Sequence, residues 1–425
     1  MKAARLGKRS SMVNAVARDE GIDTDKLLKL LATGKAVIVK NVVRKNCRPL
    51  GIGAGLRTKV NANVGTSSDF HDPDYEVKKS KVAAKYGADT VMDLSTAGNI
   101  NSIRQTILKK VNIPLGTVPI YQAAIEAIQK HKALVEMTED EIFNAIERHA
   151  RDGVDFMTIH AGITKRIVER LKKPTRITGV VSRGGVFLAS WILHHQKENP
   201  LYSNFDYLLE IARKYDFCIS LGDALRPGCI ADASDWFQLQ ELMTIGDLIE
   251  RCWKADVQVI VEGPGHVPLD QVAANVVFEK AVCRGAPFYV LGPLVTDIGA
   301  GYDHIVGAIG GAVAAMAGAD FLCYVTPSEH LGLPTVEDVR EGVIASKIAA
   351  HSADLVKLKD RAAVQDLKVA EARGGLNWST QYRFSVDPER AKQVHERFKP
   401  KTKACSMCGD YCVFKILPAR QRKLI

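Results

Sequence analysis

The sequence predicts an α/β chain built on a (β/α)8 barrel, with an N-terminal α+β extension and a C-terminal helical tail. Three observations carry that prediction. Apolar, β-branched runs recur at regular intervals. They alternate with segments that carry apolar residues at i, i+3, i+4 spacing. Nearly every run ends in a polar or glycine-rich cluster. Continuous apolar strands alternating with amphipathic helices imply a parallel sheet covered by helices. Eight repeats in about 250 residues match a closed barrel better than an open doubly wound sheet.

The elements follow in order. Residues 1–76 read as an N-terminal piece, with short helices in "VARDEGIDTDKLLKLLATGK" and strands in "KAVIVKN" and "LRTKVNANVG". Residues 77–345 read as the barrel. Its eight strands are expected in "DTVMDLS", "PLGTVPI", "DFMTIHAG", "ITGVVSRGG", "FCISLGDALRPG", "VQVIVEGPGHV", "PFYVLGPLVTD" and "DFLCYVTPSEH". Segments such as "MTEDEIFNAIERHARDG" and "DWFQLQELMTIGDLIERCWKA" supply the covering helices. Residues 346–425 read as helices followed by a basic approach to three cysteines. The polar clusters at the strand ends include Asp93, Tyr121, His160, Asp223 and Glu329 with His330. In a barrel such ends converge on one face, where active sites are built.

Composition narrows the function classes. The 425 residues are about half hydrophobic and a quarter charged, as in a soluble globular protein. No apolar run reaches the ~18 residues of a membrane span, and "MKAARLGKRSS" has no apolar stretch after its charges. A cytoplasmic protein is expected. The formal charge of +10 is scattered among acids, which argues against nucleic acid and suits a phosphorylated small molecule. Six cysteines, Cys47, Cys218, Cys229, Cys252, Cys283 and Cys323, are isolated and read as small buried hydrophobes in a reducing compartment.

Several motifs carry chemistry. "CSMCGDYC" places Cys405, Cys408 and Cys412 within eight residues. A structural zinc site needs four ligands. A [4Fe–4S] cluster usually takes four thiolates, so three would leave one iron open to a small molecule. Zinc completed by a distant ligand and an open iron–sulfur cluster both fit this spacing. His266 in "EGPGHVP" and His330 in "TPSEHLGLP" follow the sixth and eighth expected strands. Two imidazoles at one barrel mouth suit a divalent metal such as zinc; a pair of hydrogen-bonded loop histidines is the alternative. "SRGG" (Ser182, Arg183, Gly184, Gly185) and "GDALRPG" (Asp223, Ala224, Leu225, Arg226) offer backbone N–H groups and arginine forks to an anion. Asn63 in "NANVG" suits an amide-like ligand edge or a turn. Met92 is core by default.

"CSMCG", "VNANVG", "MDLST", "GTVPIYQA", "FMTIHAG", "GVVSRGG", "VEGPGHVP", "LGPLVTDI", "GYDHI" and "CYVTPSEHLGLP" resemble the phosphomethylpyrimidine synthase family of radical S-adenosylmethionine enzymes, over nearly the whole chain. The resemblance implies a (β/α)8 barrel, a homodimer, an external electron donor, S-adenosylmethionine and a [4Fe–4S] cluster. It also implies a second metal, usually zinc. Aminoimidazole ribotide is the implied substrate, and the mobile cluster segment is implied to serve the partner's active site. By motif, Cys405, Cys408 and Cys412 would ligate the cluster, which favours the cluster over the zinc reading. His266 and His330 would hold the second metal. Asn63, Met92, Tyr121, His160, Ser182, Arg183, Gly184, Asp223, Ala224, Leu225, Arg226, Glu262 and Tyr289 would line the substrate site. His160 and Glu262 are the candidates for proton transfer.

The family makes two products from this substrate. One is the pyrimidine phosphate of thiamin. The other, made by an anaerobic paralogue, is 5-hydroxybenzimidazole, a cobamide lower-ligand base. This chain has Ala97, Ala224 and Gly299–Ala300 where the thiamin enzymes have Gly, Gly and Ala-Pro. It also lacks their Pro-Glu-Met stretch near the N-terminus. Changes gathered at one ligand site, with the cofactor motifs kept, lead to the expectation of 5-hydroxybenzimidazole synthase. Phosphomethylpyrimidine synthase is the alternative.

Overall fold

The computed structural model describes residues 1–171 and 175–417. By contact it divides into two compact units, Met1–Ala353 and Asp354–Ile425. After a short helix, Lys2–Arg5, the first unit continues with helices Ser11–Glu20 and Thr24–Ala32. Ser10 and Asp23 cap them, each accepting backbone N–H bonds through its side chain. The apolar faces of these helices, Val16, Leu27 and Leu31 among them, pack into a small separate core with Leu56. An antiparallel pair follows, β1 (Ala36–Val39) with β2 (Leu50–Gly53).

Eight strands then form one closed, all-parallel barrel. They are β3 (Lys59–Val64), β4 (Thr90–Asp93), β5 (Leu115–Thr117), β6 (Phe156–Ile159), β7 (Cys218–Leu221), β8 (Val259–Gly263), β9 (Phe288–Leu291) and β10 (Phe321–Cys323). Each pairs with its sequence neighbour, and β10 pairs back onto β3. The barrel class is as the sequence predicts, with one exchange of strands. "LRTKVNANVG", expected in the N-terminal piece, supplies the first barrel strand, so the barrel begins before residue 77. "ITGVVSRGG", expected as a strand, is a loop leading into helix Arg183–His195. The reason is geometric. β6 hydrogen-bonds directly to β7, with Phe156 opposite Cys218 and Ile159 opposite Leu221, so no strand fits between them.

Aromatic rings form the barrel floor. Phe156 lies edge-on to Phe321, and Tyr289 stacks on Phe321 with centroids 4.2 Å apart. Glycines make room for them: a Cβ at Gly116 would meet the Phe156 ring at 2.3 Å, and one at Gly263 the Phe288 ring at 2.0 Å. Above this floor, a cavity opens at the carboxyl ends of the strands.

The second unit is helical at first, with Asp360–Gly374, Trp378–Phe384 and Pro388–Glu396. Its own small core joins Leu376, Ala404 and Cys412 with Trp378, Cys408 and Phe414 at the edge. Among the described residues no helix is long and apolar enough to cross a membrane.

Candidate active site

A cavity of about 320 Å3 sits at the carboxyl ends of the barrel strands. Parallel register sets its first wall. Asn63 on β3 lies beside Met92 on β4, and Glu262 on β8 beside Tyr289 on β9, so each pair shares the inner face. All four line the cavity, with Tyr121, His160, Arg183, Asp223 and Arg226 from the loops and helix starts beyond the strands. Ser182, Gly184, Ala224 and Leu225 do not line it. They stand behind the residues that do.

Asn63 is fixed by its neighbours. Its Oδ1 accepts from Asn61 Nδ2 at 2.7 Å, and its Nδ2 donates to Cys323 Sγ at 3.1 Å. Asn61 also donates to the Tyr289 hydroxyl at 2.8 Å. Glu262 is held by two hydroxyls on one oxygen, Thr158 Oγ1 at 2.6 Å and Ser220 Oγ at 2.8 Å. Burial pushes the Glu262 carboxyl above its ordinary range.

Arg226 Nη1 donates to Asp223 Oδ1 at 3.1 Å, while Asp223 Oδ2 is buried without a partner. Burial pushes Asp223 up to about 7, against the opposing pull of Arg226. His160 is driven the other way. Burial, helped by the charge of Arg226, pushes it down to about 3. Its imidazole is therefore neutral at physiological pH. Nε2 shares a 3.2 Å contact with Ser182 Oγ, and Nδ1 is buried with no partner. Neutral imidazole beside carboxyls raised towards neutrality is an arrangement for proton transfer. Arg183, whose guanidinium lies 5.1 Å over the Tyr121 ring, and Arg226 supply positive charge for an anionic ligand.

The "SRGG" motif does more than form an anion turn. Ser182 caps helix Arg183–His195, accepting from Gly185 N at 3.2 Å. A Cβ at Gly184 would meet His160 Cε1 at 2.4 Å, and one at Gly185 the Ala224 carbonyl oxygen at 2.3 Å. The two glycines let this helix start lie flat against the imidazole and against the "GDALR" turn.

Among the other residues that line the cavity, Glu329 and Cys323 carry polar atoms yet are not among the residues expected to line the substrate site. Glu329 lines the cavity and burial raises its carboxyl. Cys323 is the last residue of β10 and faces Asn63 rather than serving as anonymous core. Glu329 already stood among the polar clusters read from the sequence, and Cys323 ends β10 itself.

His266 and His330 come together. Their Nε2 atoms are 3.2 Å apart. Behind them, His266 Nδ1 lies 2.7 Å from Asp297 Oδ1, and His330 Nδ1 lies 3.7 Å from Asp303 Oδ2. The Asp297 carboxylate on the outer nitrogen orients the His266 imidazole, as a metal-ligating histidine requires, while Asp303 stands behind His330 beyond hydrogen-bond distance. Two imidazole nitrogen donors fit a divalent metal that keeps open positions. Among the described residues no group of three or more His, Cys, Asp or Glu is arranged to hold a metal.

In the second unit, Cys405 and Cys408 are half-buried and Cys412 is buried. Backbone N–H groups of Cys408 and Met407 hold the Cys405 thiol below its usual range. Three soft donors fit the chemistry of an iron–sulfur cluster. The cysteines are not a preassembled cage, since Cys412 packs with Leu376 and Ala404.

The chain matches the Radical SAM ThiC family over residues 1–419. Similar curated proteins carry the name phosphomethylpyrimidine synthase. That of Dehalococcoides mccartyi strain BAV1 is 57% identical over 416 residues, covering 98% of this chain and 96% of the relative. That of Pyrococcus abyssi is 54% identical over 417 residues, covering 98% and 97%. That of Methanocaldococcus jannaschii is 55% identical over 413 residues, covering 97% of each.

Proposed function

We propose that this chain, which belongs to the Radical SAM ThiC family, is a phosphomethylpyrimidine synthase. On this reading it converts aminoimidazole ribotide into 4-amino-2-methyl-5-phosphomethylpyrimidine, the thiamin precursor. The observation that carries the substrate class is the cavity itself. Arg183 and Arg226, which suit a phosphate, Asn63, which suits a heterocycle edge, and three proton-exchanging groups, His160, Asp223 and Glu262, line one cavity.

The 5-hydroxybenzimidazole expectation rested on departures at the mouth, and none of those residues lines the cavity. Ala224 is fully buried and its N–H donates to Glu241. The Ala97 carbonyl accepts from Thr66. Gly299 packs on Val306. Relatives 53–57% identical carry the thiamin enzyme's name, which supports that product.

Cys405, Cys408 and Cys412 would hold a [4Fe–4S] cluster, and His266 with His330 a zinc or similar ion. With S-adenosylmethionine, the cluster supplies one-electron carbon–sulfur cleavage and hence hydrogen abstraction from the substrate. The chain's own residues do the rest. Arg183 and Arg226 hold the phosphate through planar, permanently charged forks. Neutral His160 accepts or donates one hydrogen bond without competing for the phosphate charge. Glu262 and Asp223, poised above the ordinary carboxylate range, move protons as the ring is rebuilt. The reading includes a homodimer, in which the cluster segment serves the partner's site, and an external reductant.

The test is direct. Reduced, cluster-reconstituted protein is incubated anaerobically with S-adenosylmethionine and aminoimidazole ribotide, and the product is weighed by mass spectrometry. The pyrimidine phosphate is expected. 5-Hydroxybenzimidazole would replace the product assignment, and unconsumed ribotide would remove the substrate assignment.

A further inference from the structure

The turn that carries Asp223 and Arg226 is gripped on both its faces from a single helix. Helix Trp236–Lys254 is fixed to the barrel through Phe237, Ile245, Leu248 and Ile249. From its first turns, Glu241 reaches the turn's amide side. Glu241 Oε1 accepts from Ala224 N at 2.9 Å, and Oε2 from Leu225 N at 2.7 Å. Asp235, which caps the same helix, reaches the carbonyl side through an arginine. It binds Arg176 through both oxygens, at 2.7 and 2.6 Å. Arg176 Nη2 in turn donates to the Leu225 carbonyl at 2.7 Å, and Nη1 approaches the Arg226 carbonyl at 3.4 Å.

Glu241 and Arg176 are both buried, and neither lines the cavity. A buried carboxylate or guanidinium persists only with all its partners supplied. For Glu241 those partners are the amides of Ala224 and Leu225; for Arg176 they are the Asp235 carboxylate and the carbonyls of Leu225 and Arg226. A free turn would let the Arg226 side chain swing. Gripped at consecutive N–H and C=O groups, the turn presents Arg226 at one place, already bonded to Asp223.

We propose that Glu241 and Arg176 are positioning residues that lock the Asp223–Arg226 turn and so aim Arg226 at the phosphate of the ligand. The role of the phosphate rests on the substrate reading above; the lock on the turn does not.

The experiment uses full-length, cluster-reconstituted protein carrying Glu241→Gln, with Arg176→Lys as the variant that disturbs only the carbonyl side. Glutamine turns an N–H donor towards one of the two amides and breaks one grip. Two readouts are taken. In the first, hydrogen exchange at the Ala224 and Leu225 amides rises at least about tenfold in Glu241→Gln, while amides of the barrel strands keep their protection. In the second, the dissociation constant for aminoimidazole ribotide rises about tenfold. That for the riboside lacking the phosphate stays within about twofold of wild type. In an Arg226→Met background, Glu241→Gln adds no further loss, because both changes act through one side chain.

Equal weakening of ribotide and riboside, or losses that add in the double variant, would overturn the aiming role. Unchanged exchange at both amides would overturn the lock. Should wild-type protein fail to distinguish ribotide from riboside, the substrate reading falls, and the exchange result alone decides whether the lock stands.

Discussion

Gly184 shows how one atom decides the state of a working side chain. The helix start can press against His160 because position 184 has no Cβ, which would lie 2.4 Å from the ring. Gly184→Ala is therefore expected to shift either the imidazole or the helix. Overpacking of this kind costs about 1–3 kcal/mol, read as a lower urea midpoint, with weaker ligand binding. His160 itself links burial to pH. In the unfolded chain it takes up a proton below about 6.5. In the folded chain it resists protonation down to about 3. Between those values unfolding binds a proton, so stability falls as pH falls from about 6.5 towards 3. By pH 5 the loss from this residue is about 2 kcal/mol. His149, buried beside Arg104, pulls in the same direction. His160→Gln is expected to shrink, not abolish, the drop in urea midpoint between pH 7 and pH 5. An unchanged drop would show that His160 is protonated in the folded protein. The sequence marked His160, Asp223 and Glu262 because they end strands. It did not mark Glu241 or Arg176, which lie within a helix pattern and a loop and matter only through backbone groups far along the chain.

At the scale of elements, seven of the eight barrel strands were legible as apolar runs, because strands buried on both faces leave that trace. The exchange between "LRTKVNANVG" and "ITGVVSRGG" has a physical basis. β3 carries polar residues at alternate positions, Lys59, Asn61 and Asn63, each satisfied inside the barrel. Lys59, for example, pairs with buried Glu20 at 3.1 Å. The run reads as a strand, but without the continuous apolar character of the other seven it does not read as one buried on both faces in a barrel. "ITGVV" is apolar, yet Gly179 takes φ of +66° and Ser182 starts a helix two residues after Val180. The cap gives an element-level prediction. Ser182→Ala removes the bond to Gly185 N and the contact with His160 Nε2. A stability loss of about 0.5–2 kcal/mol is expected from the cap, checked by thermal unfolding. The loop carrying Asp297 gives another. Its carboxylate holds His266 Nδ1 and, through Oδ2, accepts from Ile230 N at 3.0 Å. Asp297→Asn is expected to weaken divalent metal binding by about 10–100-fold, measured by competition with a chromophoric chelator. Unaltered affinity would separate the histidine pair from metal binding.

For the whole molecule, the division into two units has a consequence for folding. Residues 1–353 contain the barrel, its floor of aromatic rings and the small core of the N-terminal helices. Among the described residues of the second unit, the core is a few side chains around Leu376 and Cys412. Helix Val336–Leu358 runs through the boundary and ends five residues beyond it, where Lys359 takes a positive φ of +51°. A chain ending at Leu358 keeps every strand, every cavity residue and both histidines. It is expected to unfold cooperatively within about 4 °C of the full-length protein, the shift that about 1 kcal/mol produces in a domain of up to 250 residues. It should bind aminoimidazole ribotide and a divalent metal with full-length affinity. It should cleave no S-adenosylmethionine, because the three thiols are gone. Full-length Cys408→Ala is expected to behave likewise, which separates loss of the cluster from loss of the segment. The core of the second unit is too small to hold itself together without added constraint, since domains below about 70–80 residues commonly need a metal or disulfide staple. Residues 354–425 alone should therefore show little cooperative unfolding until iron and sulfide are supplied, followed by circular dichroism under anaerobic titration. Cooperative unfolding without metal would show that the cluster is not what stabilises the segment.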